Sequence, residues 1–156
     1  MAKDLVEGDP APDFELPTDG GGRVHLKHLE GKPVVIYFYP KDDTSGCTAE
    51  AIAFNGLRAK FAAAGATVVG VSPDNAASHD KFKAKHGLKI ALAADPEHSA
   101  IDAYGVWKEK SMYGRKYFGV ERSTFLIGRD GRIAKVWRKV KVPGHADEVL
   151  AAVQAL

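Results

Sequence analysis

The chain has 156 residues, of which 45% are hydrophobic and 27% charged, a balance typical of a globular protein that buries one core. Its formal net charge of +2 is too small to favour nucleic acid or a membrane surface as a partner. The first five residues lack the apolar core of a signal peptide, no stretch reaches transmembrane length, and the single cysteine excludes an intrachain disulfide. We therefore expect a cytoplasmic protein with one domain over residues 1–156.

The N-terminal part predicts a short hairpin followed by a buried strand. Residues 14–16 form a short strand candidate, and residues 23–26 pair back to it across a glycine-rich turn at residues 19–22. Residues 34–39 are β-branched or aromatic throughout, which indicates a strand that is buried on both faces. Pro40 ends this strand.

A polar loop and then a helical pattern follow Pro40. The loop covers residues 41–46, and Cys47 opens a helix that runs to about residue 64. The helix is indicated by apolar residues at three- and four-residue spacing, namely Ala51, Phe54, Leu57 and Phe61. Cys47 is therefore expected in the first turn of a helix, directly after a strand end.

The rest of the chain alternates strands and helices. The further predicted strands are residues 66–72, 90–92, 123–127 and 133–137, the last two joined as a hairpin through Asp130-Gly131. The further predicted helices are residues 76–86, one with Asp95 as N-cap and Pro96 at its first position, and residues 145–156. The order β-α-β-α-β-α-β-β-α predicts an α/β fold of thioredoxin type, a central mixed β-sheet with helices on both faces.

Cys47 is in a place that suits a reactive thiol. Unpaired backbone N–H groups and the positive end of the helix dipole favour the thiolate, which is the nucleophilic form. The dipole alone supplies only about 0.3–1 kcal/mol, so a second cation is expected, and Arg122 is the candidate. The alternative is an inert cysteine that packs as a small hydrophobic side chain, and the polar loop before Cys47 argues against it.

Two segments resemble the peroxiredoxins, and more closely their branch called PrxQ or bacterioferritin comigratory protein. The first segment is residues 37–50, in which Pro40, Thr44 and Cys47 match the Pro-x-x-x-Thr-x-x-Cys core. The second is residues 108–127, and the likeness extends over nearly the whole chain. This resemblance implies a thiol peroxidase that reduces hydrogen peroxide and organic hydroperoxides, with no cofactor and no metal.

The resemblance also implies a role for each residue of the site. Cys47 is the peroxidatic nucleophile and becomes a sulfenic acid. The Thr44 hydroxyl hydrogen-bonds the peroxide and the thiolate, Arg122 stabilises the thiolate and the leaving oxygen, and Pro40 shields the sulfur from water. For Thr44, a plain helix N-cap is the alternative.

Two further residues have supporting roles by the same resemblance. The backbone N–H of Gly46 helps to hold the peroxide, and Glu50, one helical turn after the cysteine, orients the arginine. For Glu50, a solvated first-turn glutamate that the helix dipole favours is an equally good interpretation.

The sequence departs from the branch where a resolving cysteine is expected. Ile52 and Lys83 occupy the two positions at which members of the branch place that cysteine, and Ser45 stands in place of a usual proline. We therefore expect a one-cysteine mechanism in which an external thiol, namely thioredoxin, glutaredoxin or a small thiol, reduces the sulfenic acid. By resemblance the chain is a monomer.

The sequence suggests two alternatives to peroxidase activity. A dithiol oxidoreductase needs a Cys-x-x-Cys motif, and Thr44 occupies its first position, which nearly excludes it. A redox-sensing binding or chaperone-like protein that uses Cys47 as a switch remains the alternative.

Overall fold

The structure is a computed structural model, and it describes residues 4–156. Its strands are β1 (Glu15–Pro17), β2 (Arg23–His25), β3 (Val34–Phe38), β4 (Thr67–Ser72), β5 (Ala91–Ala94), β6 (Trp107–Met112), β7 (Arg115–Val120), β8 (Ser123–Ile127) and β9 (Ile133–Trp137). Its α-helices are α1 (Ser45–Gly56), α2 (Arg58–Ala63), α3 (Ala76–His86), α4 (Ser99–Ala103) and α5 (His145–Gln154). Two short 3-10 turns, Asp19–Gly21 and Leu26–Leu29, flank β2.

A five-stranded mixed sheet in the order β5-β4-β3-β8-β9 forms the centre of the protein. Strands β3, β4 and β5 are parallel because α1, α2 and α3 cross over between them, whereas β8 runs antiparallel to both β3 and β9. Every residue of β3 and of β8 is buried, which explains their apolar composition. Two small antiparallel pairs, β1-β2 and β6-β7, lie outside this sheet.

Alternating residues of β3 divide the core between the two faces of the sheet. Tyr37 faces a cluster that contains Phe54 of α1, together with buried residues of α2, α3 and α5. Phe38 faces the other cluster, with Tyr104 after α4 and Phe125 of β8. The predicted thioredoxin-like α/β architecture is thereby confirmed.

The boundaries of two predicted helices were wrong. The helix that carries the cysteine begins at Ser45, two residues earlier than predicted, and breaks at Leu57 into α1 and α2. The helix predicted to start at Pro96, with Asp95 as its N-cap, starts instead at Ser99, because His98 has a left-handed φ of 62°. Asp95 nevertheless binds the new helix start, since its carboxylate accepts hydrogen bonds from two backbone N–H groups of α4.

The β6-β7 hairpin is not predicted from the sequence. Its two-residue turn consists of Tyr113 and Gly114, with φ values of 53° and 77°, and both of its strands are rich in charged residues. Among residues 4–156, no helix combines the length and the apolar character needed to cross a membrane.

Candidate active site

The only sulfur nucleophile of the chain lies in the first turn of α1. Cys47 is the third residue of that helix, and only 1% of it is exposed. The first helical hydrogen bond runs from the Thr48 N–H to the Thr44 carbonyl, so the preceding N–H groups of the turn have no partner within the helix. Their partial positive charge favours an anionic sulfur at this place.

Arg122 brings a full positive charge to this sulfur. One guanidinium nitrogen, Nη2, lies 3.2 Å from Cys47 Sγ, and the other, Nη1, donates to Glu50 Oε1 at 2.7 Å. The pairing of β3 with β8 explains how residues so far apart in sequence meet. Ser123 at the start of β8 is paired with Phe38 at the end of β3, which sets Arg122 beside the turn that leads into α1.

Burial and the attraction between opposite charges together set the pKa values of Glu50 and Arg122. Burial raises the pKa of Glu50 to about 7, although the nearby guanidinium acts in the opposite direction. Burial would lower the pKa of Arg122, but the two acidic groups at Glu50 and Cys47 outweigh it, so the pKa of the arginine is raised and it stays charged. The site therefore contains a permanent cation beside the thiol.

Gly46 leaves room for the guanidinium. A Cβ atom at this position would stand 3.2 Å from Arg122 Nη2, tighter than an ordinary van der Waals contact. The absence of a side chain thus lets the arginine lie against the first turn of α1.

Thr44 and Pro40 belong to the turn between β3 and α1. Thr44 is the N-cap residue of α1, but its side chain makes no capping hydrogen bond. Its hydroxyl donates instead to the Lys41 carbonyl at 2.9 Å, and its oxygen lone pairs stay available. Pro40 is half-buried directly after the strand.

The missed β6-β7 hairpin forms one wall beside the arginine. A cavity of about 450 Å³ is lined by Arg122 together with Lys110 and Tyr117 of this hairpin. Partial burial and the neighbouring Arg122 lower the pKa of Lys110, although Cys47 and Glu121 act against them. The sequence signal of the hairpin is weak, because Gly114 is the only usual turn residue between the two strands.

Two other cavities are not lined by Cys47 or Arg122. One of about 630 Å³ lies between α2 and α5. A cavity of about 290 Å³ lies near Leu26, Val34 and Ile127, at the opposite end of β3 from Cys47. In the part of the chain that the structure describes, no group of three or more His, Cys, Asp or Glu side chains is arranged to hold a metal ion.

Comparison with known proteins identifies the family. The profile of the AhpC/TSA family matches residues 7–136. The chain is 49% identical to peroxiredoxin Bcp of Bacillus subtilis over 147 residues, 94% of each chain, and 39% identical to peroxiredoxin Bcp of Escherichia coli over 146 residues, again 94% of each. This chain is a peroxiredoxin of the AhpC/TSA family.

Solved structures place this peroxiredoxin in the PrxQ and Bcp branch. The bacterioferritin comigratory protein of Xanthomonas campestris superposes with a TM-score of 0.90 at 45% identity, over 96% of this chain and 98% of that one. A mutant of PrxQ from Xylella fastidiosa gives a TM-score of 0.93 at 42% identity, over 99% and 98%. The protein is accordingly a thiol peroxidase, and these relatives do not favour the alternative of a redox-sensing binding protein.

The peroxiredoxin has no sulfur at the two positions expected for a resolving cysteine. Ile52 is 49% exposed on α1. Lys83 on α3 donates to Asp19 at 2.6 Å and so ties α3 to the turn before β2. With one cysteine in the sequence, the chain fits a one-cysteine mechanism.

Proposed function

We propose that this peroxiredoxin reduces hydrogen peroxide and organic hydroperoxides through Cys47 and that an external thiol regenerates it. The observation that carries the proposal is the 3.2 Å contact between Arg122 Nη2 and Cys47 Sγ at the start of α1. A guanidinium stays charged at every physiological pH, so it stabilises a thiolate without being titrated itself.

In the proposed reaction, the Cys47 thiolate attacks one peroxide oxygen. The sulfur–oxygen bond forms as the oxygen–oxygen bond breaks, and the leaving oxygen takes up a proton and departs as water or an alcohol. Arg122 holds the thiolate before the attack and offsets the negative charge that moves onto the leaving oxygen.

The turn before α1 supplies the remaining contacts of the proposed site. The Thr44 hydroxyl rotates away from the Lys41 carbonyl to donate to the peroxide or the thiolate, since a hydroxyl has a single hydrogen. The Gly46 N–H, which has no helical partner, holds the peroxide, and Pro40 limits access of bulk water. Glu50 keeps the guanidinium oriented through its 2.7 Å hydrogen bond.

Recycling of the sulfenic acid uses two equivalents of an external thiol. The first thiol displaces water and forms a mixed disulfide with Cys47, and the second releases the reduced enzyme and a disulfide of the reductant. Thioredoxin, glutaredoxin and a small thiol are the proposed reductants. The alkyl peroxide reduction attributed to the Xanthomonas campestris relative supports organic hydroperoxides as substrates. We further propose one domain over residues 1–156 that acts as a monomer in the cytoplasm.

The test is the rate at which Cys47 is oxidised by one equivalent of peroxide in the absence of a reductant. The wild-type chain should react far faster than free cysteine at the same pH, and Cys47→Ser should not react. Arg122→Gln should slow the reaction by about 10²- to 10³-fold, because it removes a charged donor from the reacting atoms. The rate of Arg122→Lys should lie between those of the wild type and Arg122→Gln, since an ammonium replaces the bidentate guanidinium.

A wild-type rate no better than that of free cysteine, with hydrogen peroxide and with an organic hydroperoxide, would refute the proposal. An oxidation rate of Arg122→Gln equal to that of the wild type would show that Arg122 does not take part in the reaction.

A further inference from the structure

A second buried polar cluster lies directly behind the turn that leads into α1. Asp42 is 8% exposed and His79 of α3 is fully buried. The Asp42 carboxylate accepts hydrogen bonds from Tyr39 Oη at 2.6 Å, Ser78 Oγ at 2.8 Å and His79 Nδ1 at 2.7 Å. None of these groups reaches the sulfur, and the peroxidase reaction described above does not use them.

The hydrogen-bond partners determine the charges in this cluster. Burial acts to raise the pKa of Asp42, but the hydrogen bonds from His79, Tyr39 and Ser78 outweigh it and lower the pKa, so Asp42 is a carboxylate. His79 Nε2 lies 2.9 Å from the Ala93 carbonyl oxygen. His79 Nδ1 faces the Asp42 carboxylate at 2.7 Å and the Tyr39 hydroxyl at 3.4 Å, so the ring connects Asp42 of the turn with Ala93 of β5. The cluster is a buried hydrogen-bonded pair of Asp42 and His79.

The same turn is bound to β4 and to the far end of α3. The Asp42 N–H donates to Asp74 Oδ2 at 2.8 Å, just beyond β4. Asp43 has a left-handed φ of 59°, and its carboxylate accepts from Lys85 at 2.6 Å and from His86 at 2.8 Å. An unfavourable backbone conformation of this kind persists only where its surroundings hold it.

The anchored turn is the segment that sets the reacting groups. The Lys41 carbonyl, next to the Asp42 N–H in the chain, receives the Thr44 hydroxyl, and Thr44 in turn is the N-cap of the helix that carries Cys47. A shift of this turn moves Thr44 and Cys47 relative to the backbone of Arg122, which directly precedes Ser123 of β8.

We propose that Asp42 and His79 are positioning residues for the peroxidase reaction, because the buried hydrogen bond between them fixes the turn that sets Thr44 and Cys47 against Arg122. This inference rests on the proposed function of Cys47. Neither residue contacts the reacting atoms, and both act through the backbone of the turn.

The test compares the rate of Cys47 oxidation by hydrogen peroxide in a set of folded variants. Asp42→Ala should slow the reaction by about 10- to 100-fold, since small displacements of reacting groups have effects of this size. Asp42→Asn should restore most of the lost rate. Its amide nitrogen donates to a neutral His79 Nδ1, while its oxygen still accepts from Tyr39. His79→Gln, which retains a donor for the Ala93 carbonyl, should slow the reaction in the same direction as Asp42→Ala.

Asp19→Ala is the matched control. Asp19 also accepts a hydrogen bond from α3, through Lys83 at 2.6 Å, but it does not contact the turn. The variant should lose stability and retain the wild-type oxidation rate. Equal loss of rate in Asp19→Ala and Asp42→Ala at matched stability would overturn the inference, as would a wild-type rate in Asp42→Ala or in His79→Gln.

Nitrogen-15 NMR of the wild-type chain supplies a measurement that needs no variant to fold. A hydrogen-bonded ring N–H of His79 should exchange slowly with water, and ring protons that all exchange as freely as those of an exposed histidine would overturn the inference. A wild-type chain that reacts no faster than free cysteine would instead overturn the proposed function, and with it this inference.

Discussion

The carboxyl group of Glu50 is buried, and only one of its two oxygens has a hydrogen-bond partner. Oε1 accepts from Arg122, whereas Oε2 has no hydrogen-bond partner among the residues that the structure describes. Only 1% of its side chain is exposed, and burial raises its pKa to about 7. Near neutral pH the carboxyl is therefore partly protonated, and protonation leaves more of the Arg122 charge for the sulfur.

This residue makes the stability of the fold depend on pH in a definite direction. The pKa of Glu50 is about 7 in the folded chain against a reference value of 4.5, so the folded state binds the proton more tightly. The corresponding stability is fully present below pH 4.5 and is lost as the pH rises through 7, by about 3 kcal/mol at most.

Replacing Glu50 by Gln should remove this dependence while retaining an oxygen that accepts from Arg122. We expect the free energy of unfolding of Glu50→Gln, relative to the wild type, to increase between about pH 5 and pH 8. Denaturant unfolding at a series of pH values measures it. The wild type serves as the reference for the other titrating groups, such as His145, whose pKa is lowered by burial and by Arg122. Parallel pH profiles for the two proteins would contradict the prediction.

At the scale of elements, the first turn of α1 contains a glycine that lowers the stability of the helix but leaves room for the Arg122 side chain. Gly46 is unfavourable in a helix, and an alanine there would gain up to about 1 kcal/mol of helix propensity. The same alanine places its Cβ 3.2 Å from Arg122 Nη2, so the guanidinium has to move by a few tenths of an ångström beside the sulfur.

Gly46→Ala should therefore be at least as stable as the wild type and yet react with peroxide about 10-fold more slowly. Gly56→Ala is the matched control, because Gly56 ends the same helix and a Cβ there meets nothing within 4 Å. That variant should gain stability at an unchanged rate. Thermal unfolding and the rate of Cys47 oxidation are the two measurements, and an unchanged rate in Gly46→Ala would count against the close contact.

The elements that the sequence predicted well are those whose burial is uniform. Strands β3 and β8 are buried at every residue, so composition alone identified them. The β6-β7 hairpin was missed because most of its residues are exposed, so it lacks a continuous apolar run, and its turn has Tyr113 where Asn or Asp is usual. The start of α4 was misplaced because His98 has a left-handed backbone conformation and is the N-cap of this helix.

At the scale of the whole molecule, the topology of the sheet brings the reacting groups together. The motif around Cys47 and the arginine at position 122 were recognisable in the sequence, but their 3.2 Å contact follows from the antiparallel pairing of β3 with β8. The contact between Asp42 and His79 was not predicted, since it joins a turn and a helix that only the packed fold brings together. A contact between residues far apart in sequence leaves no periodic pattern from which it could be predicted.

The single cysteine also determines how the whole molecule responds to excess peroxide. No second thiol of the chain can capture the Cys47 sulfenic acid, because Ile52 and Lys83 occupy the resolving positions of the branch. The sulfenic acid therefore persists until an external thiol arrives, and a second peroxide competes for it to form the irreversible sulfinic acid.

We expect the wild-type chain in excess peroxide without a reductant to gain two oxygen atoms on Cys47, as measured by mass spectrometry. Ile52→Cys places a second thiol five residues after Cys47 on α1. The two side chains point to different sides of the helix, so a disulfide between them requires local unwinding. That variant should form a disulfide and gain fewer oxygens at the same peroxide concentration. Added external thiol should protect the wild type in proportion to its concentration. A wild-type chain that stops at one oxygen in excess peroxide would show that the buried site itself, at 1% exposure of Cys47, shields the sulfenic acid from a second attack.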